Sequence, residues 1–150
     1  MNIEELPVTT ISHLIKPQDL NHHGTLFAGR MAEWAVETGF IGAQKVLAVD
    51  PKYILCLRIY GMTFSRPVRS GDVIDIRARA AHIGTSSITI YIETFNGLLG
   101  GAPLLDAFIT FVHVDGEGKS RPHGLPIQKP AAGGSLALWE RAERLKQSPA

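Results

Sequence analysis

Asn21-His22-His23-Gly24-Thr25-Leu26-Phe27-Ala28-Gly29-Arg30-Met31-Ala32-Glu33-Trp34 is a polar, glycine-bearing loop that runs straight into a helix. From Phe27 to about Leu47 the apolar residues recur with helical spacing, and they cover almost the whole circumference. A helix of that kind needs cover on most sides. On a wheel at about 100° per residue, Phe27, Met31, Trp34, Ala35, Thr38, Ile41 and Gly42 form one broad face, expected to pack on a sheet. Val36 and Phe40 fall on the opposite side, where a second subunit is expected to bury them. Arg30, Glu33 and Glu37 form a polar stripe between the two apolar faces.

Strand signals surround this helix. Val8 to Ile15 reads as a short strand stopped by Lys16-Pro17, and Lys52 to Phe64 as a longer one. Ser65 to Asp72 reads as a turn. Val73, Ile74, Ile76, Ala78 and Ala80 begin a further strand, broken at Gly84. Between Ser87 and Phe95, Ile88, Ile90 and Ile92 alternate with Thr89, Tyr91 and Glu93, which marks a strand with two different faces. Asn96-Gly97 and Gly100-Gly101 mark a turn before a last strand, Leu104 to Val114. Strands in series with short turns imply an antiparallel sheet. The reading is α+β, a curled antiparallel sheet wrapped around one long central helix. The whole chain, 1–150, is read as one domain with a core of about 8–127. A Pro/Gly-rich linker at 128–134 leads to a C-terminal helix at 135–147, with Ser135 as its cap and Leu138, Ala142 and Leu145 on its apolar face.

Composition excludes several classes of function. Hydrophobic content of 45% and charged content of 19% are globular values. A net charge of +1 gives no basic stripe for nucleic acid or an anionic membrane surface. No apolar run reaches the roughly 18 residues of a membrane span. MNIEELPVTT carries neither the positive nor the apolar region of a secretory signal, so a soluble cytoplasmic protein is expected. The single cysteine, Cys56, lies in an apolar run and reads as a buried small hydrophobe rather than a reactive thiol.

The chemistry-bearing residues cluster at the loop and the helix. A loop that delivers backbone N–H groups to a helix start suits a carbonyl oxygen or an anion. Glu33 and Glu37 are one turn apart and repel. Partial burial would sharpen that repulsion and raise one carboxylate toward the range of a general base. The plainer alternative is a solvated stripe with Arg30 paired to one of them. Asn21 either serves the site or simply makes an Asx turn. His22 and His23 lack the spaced third ligand of a metal site, so no metal is expected; His23 stays a catalytic candidate. Gly24 supplies a tight turn or a close backbone approach.

Asn21-His-His-Gly-Thr-Leu-Phe-Ala-Gly29, with Trp34, resembles the opening motif of the hotdog-fold acyl-CoA thioesterases, in the branch of YciA-like and cytosolic acyl-CoA hydrolases. Phe64-Ser-Arg-Pro-Val-Arg-Ser-Gly-Asp72, Gly84-Thr-Ser-Ser-Ile-Thr-Ile90 and Phe111-Val-His-Val-Asp115 with Gly118-Lys-Ser-Arg-Pro122 are similar to later pieces of that family, in the same order. The resemblance implies a thioester carbonyl held by backbone N–H groups near Gly29 and attacked with the help of a carboxylate. Asn21 would come from a neighbouring subunit. The products are a carboxylic acid and free CoA, with no cofactor required. It implies a homodimer as the minimal unit, with tetramers or hexamers common. Where the family usually carries its catalytic aspartate this chain has Val36. Glu37 is therefore taken as base or nucleophile, with Glu33 second. For the CoA moiety, Arg66, Arg69, Lys119 and Arg121 are candidates for the phosphates, and Thr85, Ser86 and Ser87 for the pantetheine amides.

Two other readings compete with a hydrolase. Without the aspartate, a hotdog protein could bind acyl-CoA or an acyl carrier and not hydrolyse it. A hotdog dehydratase is disfavoured, because its typical histidine in a different helix motif is absent.

Overall fold

The computed structural model describes residues 1–149. Its elements are β1 (Thr9–Leu14), α1 (Ala28–Leu47), β2 (Ile54–Phe64), β3 (Val73–Ile83), β4 (Ser87–Asn96), β5 (Leu105–His113) and α2 (Gly133–Gln147). The five strands form one antiparallel sheet in the order β1-β3-β4-β5-β2. This sheet, curled around α1, is the hotdog arrangement.

The strand order departs from the series expected along the chain. β1 takes the outer edge of β3, pairing Thr9 with Ala78 and Leu14 with Val73. β2 then has no place beside β3, and pairs with β5 from Ile54–His113 to Phe64–Leu105. Ser65 to Asp72 is therefore a crossing segment, not a hairpin turn. It runs over the end of the sheet from one edge toward the other.

The inner face of β4 presents Ile88, Ile90, Ile92 and Thr94, all fully buried. α1 meets it through small residues. A Cβ at Gly39 would lie 3.1 Å from Ile92 Cδ1, and one at Gly42 would lie 3.0 Å from Ala78 Cβ. The buried face of α1 is Met31, Ala35, Thr38, Gly39, Gly42, Ala43, Val46 and Leu47. Compared with the wheel, Phe27 is out of this face at 55% exposure, and Trp34 and Ile41 are half-buried. Val36 and Phe40, expected to face outward, instead pack against the core; the Phe40 ring stands edge-on to Phe111 at 5.9 Å. The sheet curls far enough round the helix to reach them.

The other face of the sheet is covered by α2, whose Leu138, Ala142 and Leu145 pack on Tyr60, Ala81, Tyr91 and Phe108. Burial on both faces explains why β4 is inaccessible along nearly its whole length. α2 begins two residues before the expected start. Gly133, at φ +82°, turns the chain into the helix, and Ser135 lies inside the first turn without capping it.

β2 is an edge strand with two register irregularities, between Cys56 and Arg58 and between Tyr60 and Thr63. Leu55, Leu57, Ile59 and Phe64 are exposed along it. Cys56 is exposed too, contrary to the buried position its apolar neighbours suggest. The apolar run is real, but it lies at an unpaired edge. Among the described residues, no helix is long and apolar enough to cross a membrane.

Beneath α2, the His82 ring packs against Trp139 at 4.4 Å, and its Nδ1 is buried without a partner among the described residues. Burial, aided by the Lys146 charge, pushes the imidazole pKa from 6.5 down to about 4. The unfolded chain takes up that proton near pH 6.5 while the folded chain stays neutral. Stability should therefore fall as pH drops through this window and level off below about 4. Thermal unfolding of wild type and His82→Phe at pH 7 and 4.5 checks this. The variant should lose less stability than wild type between the two; parallel losses would assign the dependence to other groups.

Candidate active site at the start of the central helix

The loop before α1 is held by one asparagine and one buried aspartate. Asn21 Oδ1 accepts from the backbone N–H of His23 (2.8 Å) and of Thr25 (3.3 Å), and its Nδ2 donates to Thr25 Oγ1 (3.2 Å). The Asn21 backbone N–H donates to Thr25 O at 2.7 Å, and Gly24, at φ +78°, closes the turn. The Asx turn is therefore formed. His22 and His23 are exposed, with ring centroids 3.9 Å apart. Asp19 is 3% exposed; its Oδ2 accepts from the Lys16 N–H, and its Oδ1 lies 3.7 Å from Arg30 Nη1. Its backbone carbonyl accepts from the N–H of Phe27, the residue that starts the helix. Buried charge is tolerated only when paired and hydrogen-bonded, and here both conditions tie the loop to α1.

The crossing segment braces the same loop. Leu26 N–H donates to Val68 O at 2.8 Å, and Thr25 bridges to Arg69. Ile15 and the Gly71-Asp72 pair exchange two further backbone bonds. α1 thus begins against a rigid support. Arg30 and Met31 both donate to Phe27 O. Among the described residues the N–H groups of Ala28 and Gly29 have no partner, as expected of a first helical turn without a side-chain cap. Beside them lies a groove of about 240 Å³ between Ala28, Met31, Phe64 and Ser65-Arg66-Pro67. That volume suits the thioester end of a ligand and is smaller than a site for a whole drug-sized molecule. A Cβ at Gly29 would meet only the Phe27 ring, which is exposed and would have to swing aside.

The candidates fall into two groups. Asn21, His23, Gly24, Gly29, Arg66 and Arg69 share the end of the sheet where α1 begins. The Arg66 guanidinium donates to Ala102 O, so it braces the β4–β5 turn. Thr85, Ser86, Ser87 and Arg121 lie at the opposite end, joined through His113 and His123. His113 N–H donates to Ser86 O, His123 N–H to Thr85 O, and Arg121 N–H to His113 O. The full length of β4 separates the groups, roughly 30 Å at strand rise. A single chain does not bring them together.

Glu33 and Glu37 are both exposed on the outward face of α1, so the partial burial expected of them is absent in the single chain. Arg30 pairs with Asp19, not with either glutamate. Toward β1, Trp34 has a neighbour that the sequence reading missed. The His13 ring is stacked flat on Trp34, 4.0 Å away and within 8° of parallel. Burial lowers the His13 pKa, and the charge of Glu37, followed by that of Asp19, opposes this. Asp19 could have been suspected from the turn signal Pro17-Gln18-Asp19. Nothing local marks His13, because its contact joins a strand to a helix that follows it. Among the described residues, no three His, Cys, Asp or Glu side chains are placed to hold a metal.

A model of the thioesterase superfamily matches residues 23–98, from the middle of the loop to the tip of β4. The acyl-CoA thioester hydrolase YciA of Salmonella typhimurium is 36% identical over 123 residues, 77% of this chain and 87% of its own. The chain belongs to the thioesterase superfamily. The hexameric thioesterase y2039 from Yersinia pestis is 34% identical, with a TM-score of 0.66 over 75% of this chain and 91% of its own. An acyl-CoA hydrolase from Staphylococcus aureus, solved with butyryl coenzyme A and coenzyme A, has a TM-score of 0.82 over 98% of this chain and 85% of its own. At 22% identity, that likeness is one of fold. For this thioesterase the loop geometry makes a direct forecast. Asn21→Ala deletes the side-chain hydrogen bonds to His23 and Thr25, and should cost about 1–2 kcal/mol in urea unfolding. An unchanged midpoint would show that Thr25 and Gly24 hold the loop unaided.

Proposed function

We propose that this protein hydrolyses acyl-CoA thioesters to a carboxylic acid and free CoA, in a site completed by a second copy of the chain. Its family makes it a thioester hydrolase, and its curated relatives are named acyl-CoA thioester hydrolases. The observation that carries the finer reading is the helix start. Two unpartnered N–H groups, Ala28 and Gly29, sit beside a groove of thioester size. They suit a carbonyl oxygen and, more strongly, the oxyanion that forms when water adds to it. Donors already in place need no reorganisation as the charge develops. Water forms a bond to the carbonyl carbon while Glu37 takes its proton. The C–S bond then breaks, and the CoA thiolate leaves with a proton. Glu33, one turn earlier, is the second choice of base. Asn21 holds Gly24 and Thr25 in place.

The second copy is needed for two reasons. β2 leaves an unpaired edge bearing Leu55, Leu57 and Ile59, a surface that otherwise invites aggregation. Antiparallel pairing of two such edges also sets the start of one chain's α1 beside the other chain's Thr85-Ser86-Ser87 turn and Arg121. That would unite the two groups of candidates. CoA then has hydroxyls for its pantetheine amides and Arg66, Arg69, Lys119 and Arg121 for its phosphates. The hexameric relative of 34% identity supports assembly of this kind.

A second reading is kept because Val36 occupies the position that the resemblance gives to the catalytic aspartate, while both glutamates are solvent-facing in the single chain. In that reading the protein holds acyl-CoA without hydrolysis.

Thiol release across an acyl-CoA panel separates the two. Hydrolysis is expected, and Glu37→Gln should lower kcat by about 100-fold or more with the thermal midpoint unchanged. Full activity in that variant would move the base to Glu33 or another group, and tight binding without thiol release would establish the binding protein. Light scattering should give a mass of at least a dimer. A fully active monomer would overturn the shared site.

A further inference from the structure

We propose that His123 is a positioning residue for the CoA end of the ligand, tying the segment that carries Arg121 to the turn between β3 and β4. This rests on the acyl-CoA reading above and concerns how the ligand is held, not which group is the base. His123 itself follows the last of the stretches that resemble the family, Gly118 to Pro122. Both nitrogens of its ring are engaged, on two different segments. Nε2 lies 3.1 Å from Ser87 O, and Nδ1 accepts from the Leu125 N–H at 3.1 Å. A carbonyl only accepts and a backbone N–H only donates, so the ring proton sits on Nε2. The His123 N–H adds a third bond, to Thr85 O at 3.2 Å. One half-buried residue thus holds the first and last carbonyls of Thr85-Ser86-Ser87. His113 holds the middle one, its N–H donating to Ser86 O at 2.7 Å. The same histidine grips Arg121 twice. Its carbonyl accepts the Arg121 N–H at 2.9 Å, and its Nδ1–H donates to Arg121 O at 3.0 Å.

The result is a turn whose acceptors are spent and whose donors are free. Every carbonyl from Thr85 to Ser87 already has a donor from the protein. The N–H groups of Thr85 and Ser86 have no partner among the described residues. The Ser87 hydroxyl lies over Gly84, in space that a Cβ there would take. The Arg121 side chain is exposed and takes part in no salt bridge among the described residues. Amide carbonyls and phosphate oxygens are acceptors, so a surface of donors beside a free guanidinium suits both.

Two features separate this role from simple support of the turn. Ser87 O also accepts from the Gly84 N–H at 2.9 Å, so the turn closes without His123. What the histidine adds is the link to the chain after β5. Between His113 and Gly133 that chain enters no helix and no strand of the sheet, so cross-bonds of this kind fix its place. A segment held before the ligand arrives has less freedom to lose on binding. Releasing it should therefore weaken the grip on CoA and leave the chemistry at the start of α1 alone.

The test compares two substrates with the same acyl group, an acyl-CoA and the thioester of N-acetylcysteamine, which keeps the reacting carbonyl and lacks the phosphates. The variants are His123→Asn and His123→Gln. Asn can accept the Leu125 N–H in an Asx turn but is too short for Ser87, whereas Gln carries an amide N–H out to Ser87. His123→Asn should raise KM for acyl-CoA about three- to tenfold, the worth of one hydrogen bond, with kcat within about twofold. His123→Gln should stay nearer wild type, and kcat/KM for the truncated thioester should not change in either. An Asn variant equal to wild type on acyl-CoA overturns the inference and leaves His123 a local turn residue. Equal losses on both substrates overturn it as a general defect of folding. Wild type that releases no thiol from any acyl-CoA refutes the hydrolase reading instead, and calorimetry with CoA then decides. There, His123→Asn should bind CoA about three- to tenfold more weakly than wild type, and equal affinity overturns the inference. Wild type alone serves if the variants do not fold. Saturating CoA should slow hydrogen exchange at the Thr85 and Ser86 amides; unchanged exchange, or no binding of CoA, overturns the inference.

Discussion

At Gly39 and Gly42 the backbone of α1 approaches the sheet so closely that a single added carbon would touch Ile92 or Ala78. The rest of the molecule follows from this contact. Bringing a helix so near a sheet lets the strands curl far enough to cover Val36 and Phe40 as well as the inner stripe. The same closeness fixes the helix along its axis, because interiors at this packing density do not slide. What happens at the first turn, several residues away, is therefore set by packing at the middle of the helix.

The second constraint is the route of Ser65–Asp72. Because β1 occupies the edge of β3, the chain leaving β2 must cross the end of the sheet. In crossing, it hydrogen-bonds to the loop before α1 at Leu26 and to the end of β1 at Ile15. The site thus stands on the sheet twice, once through α1 and once through the crossing segment. A loop held at both ends loses little further freedom when a ligand binds, the condition under which fixed N–H donors help a reaction most.

The parts legible in the sequence are those set by local periodicity. Ile88, Ile90 and Ile92 announce a strand with one buried face, and the apolar run after Phe27 announces a helix needing cover on all sides. Strand order was not legible, since β1–β3 and β2–β5 pairing joins segments far apart in the chain, and no residue pattern specifies which edge is free. Cys56 shows the same limit: Ile54-Leu55-Cys56-Leu57 reads alike whether the strand lies in a core or at an edge awaiting a partner. Ser135 was a reasonable cap by residue type, yet a glycine two positions earlier had the backbone freedom the turn required. At the site, the loop and helix start were legible because their residues are consecutive. The stack of His13 on Trp34 and the buried Asp19 were not, because they are tertiary contacts between otherwise unremarkable polar residues.

The exposure of Glu33 and Glu37 becomes intelligible once the separation of the two residue groups is considered with it. A carboxylate buried inside one chain would carry its desolvation cost throughout folding, with no partner to offset it. Placed on the outward face of α1, it carries no such cost until something covers that face. In the proposed dimer, the apolar edge of β2 and the hydroxyl-rich turn at the far end of the sheet share this property, complete as folded structure and completed as a site only by the partner. On the proposed mechanism, folding and catalysis make different demands on one helix, the inner stripe answering the first and the outer stripe the second. In the dimer proposed above, the chemistry belongs to the assembly, each chain supplying the oxyanion donors for one site and the ligand-holding turn for the other.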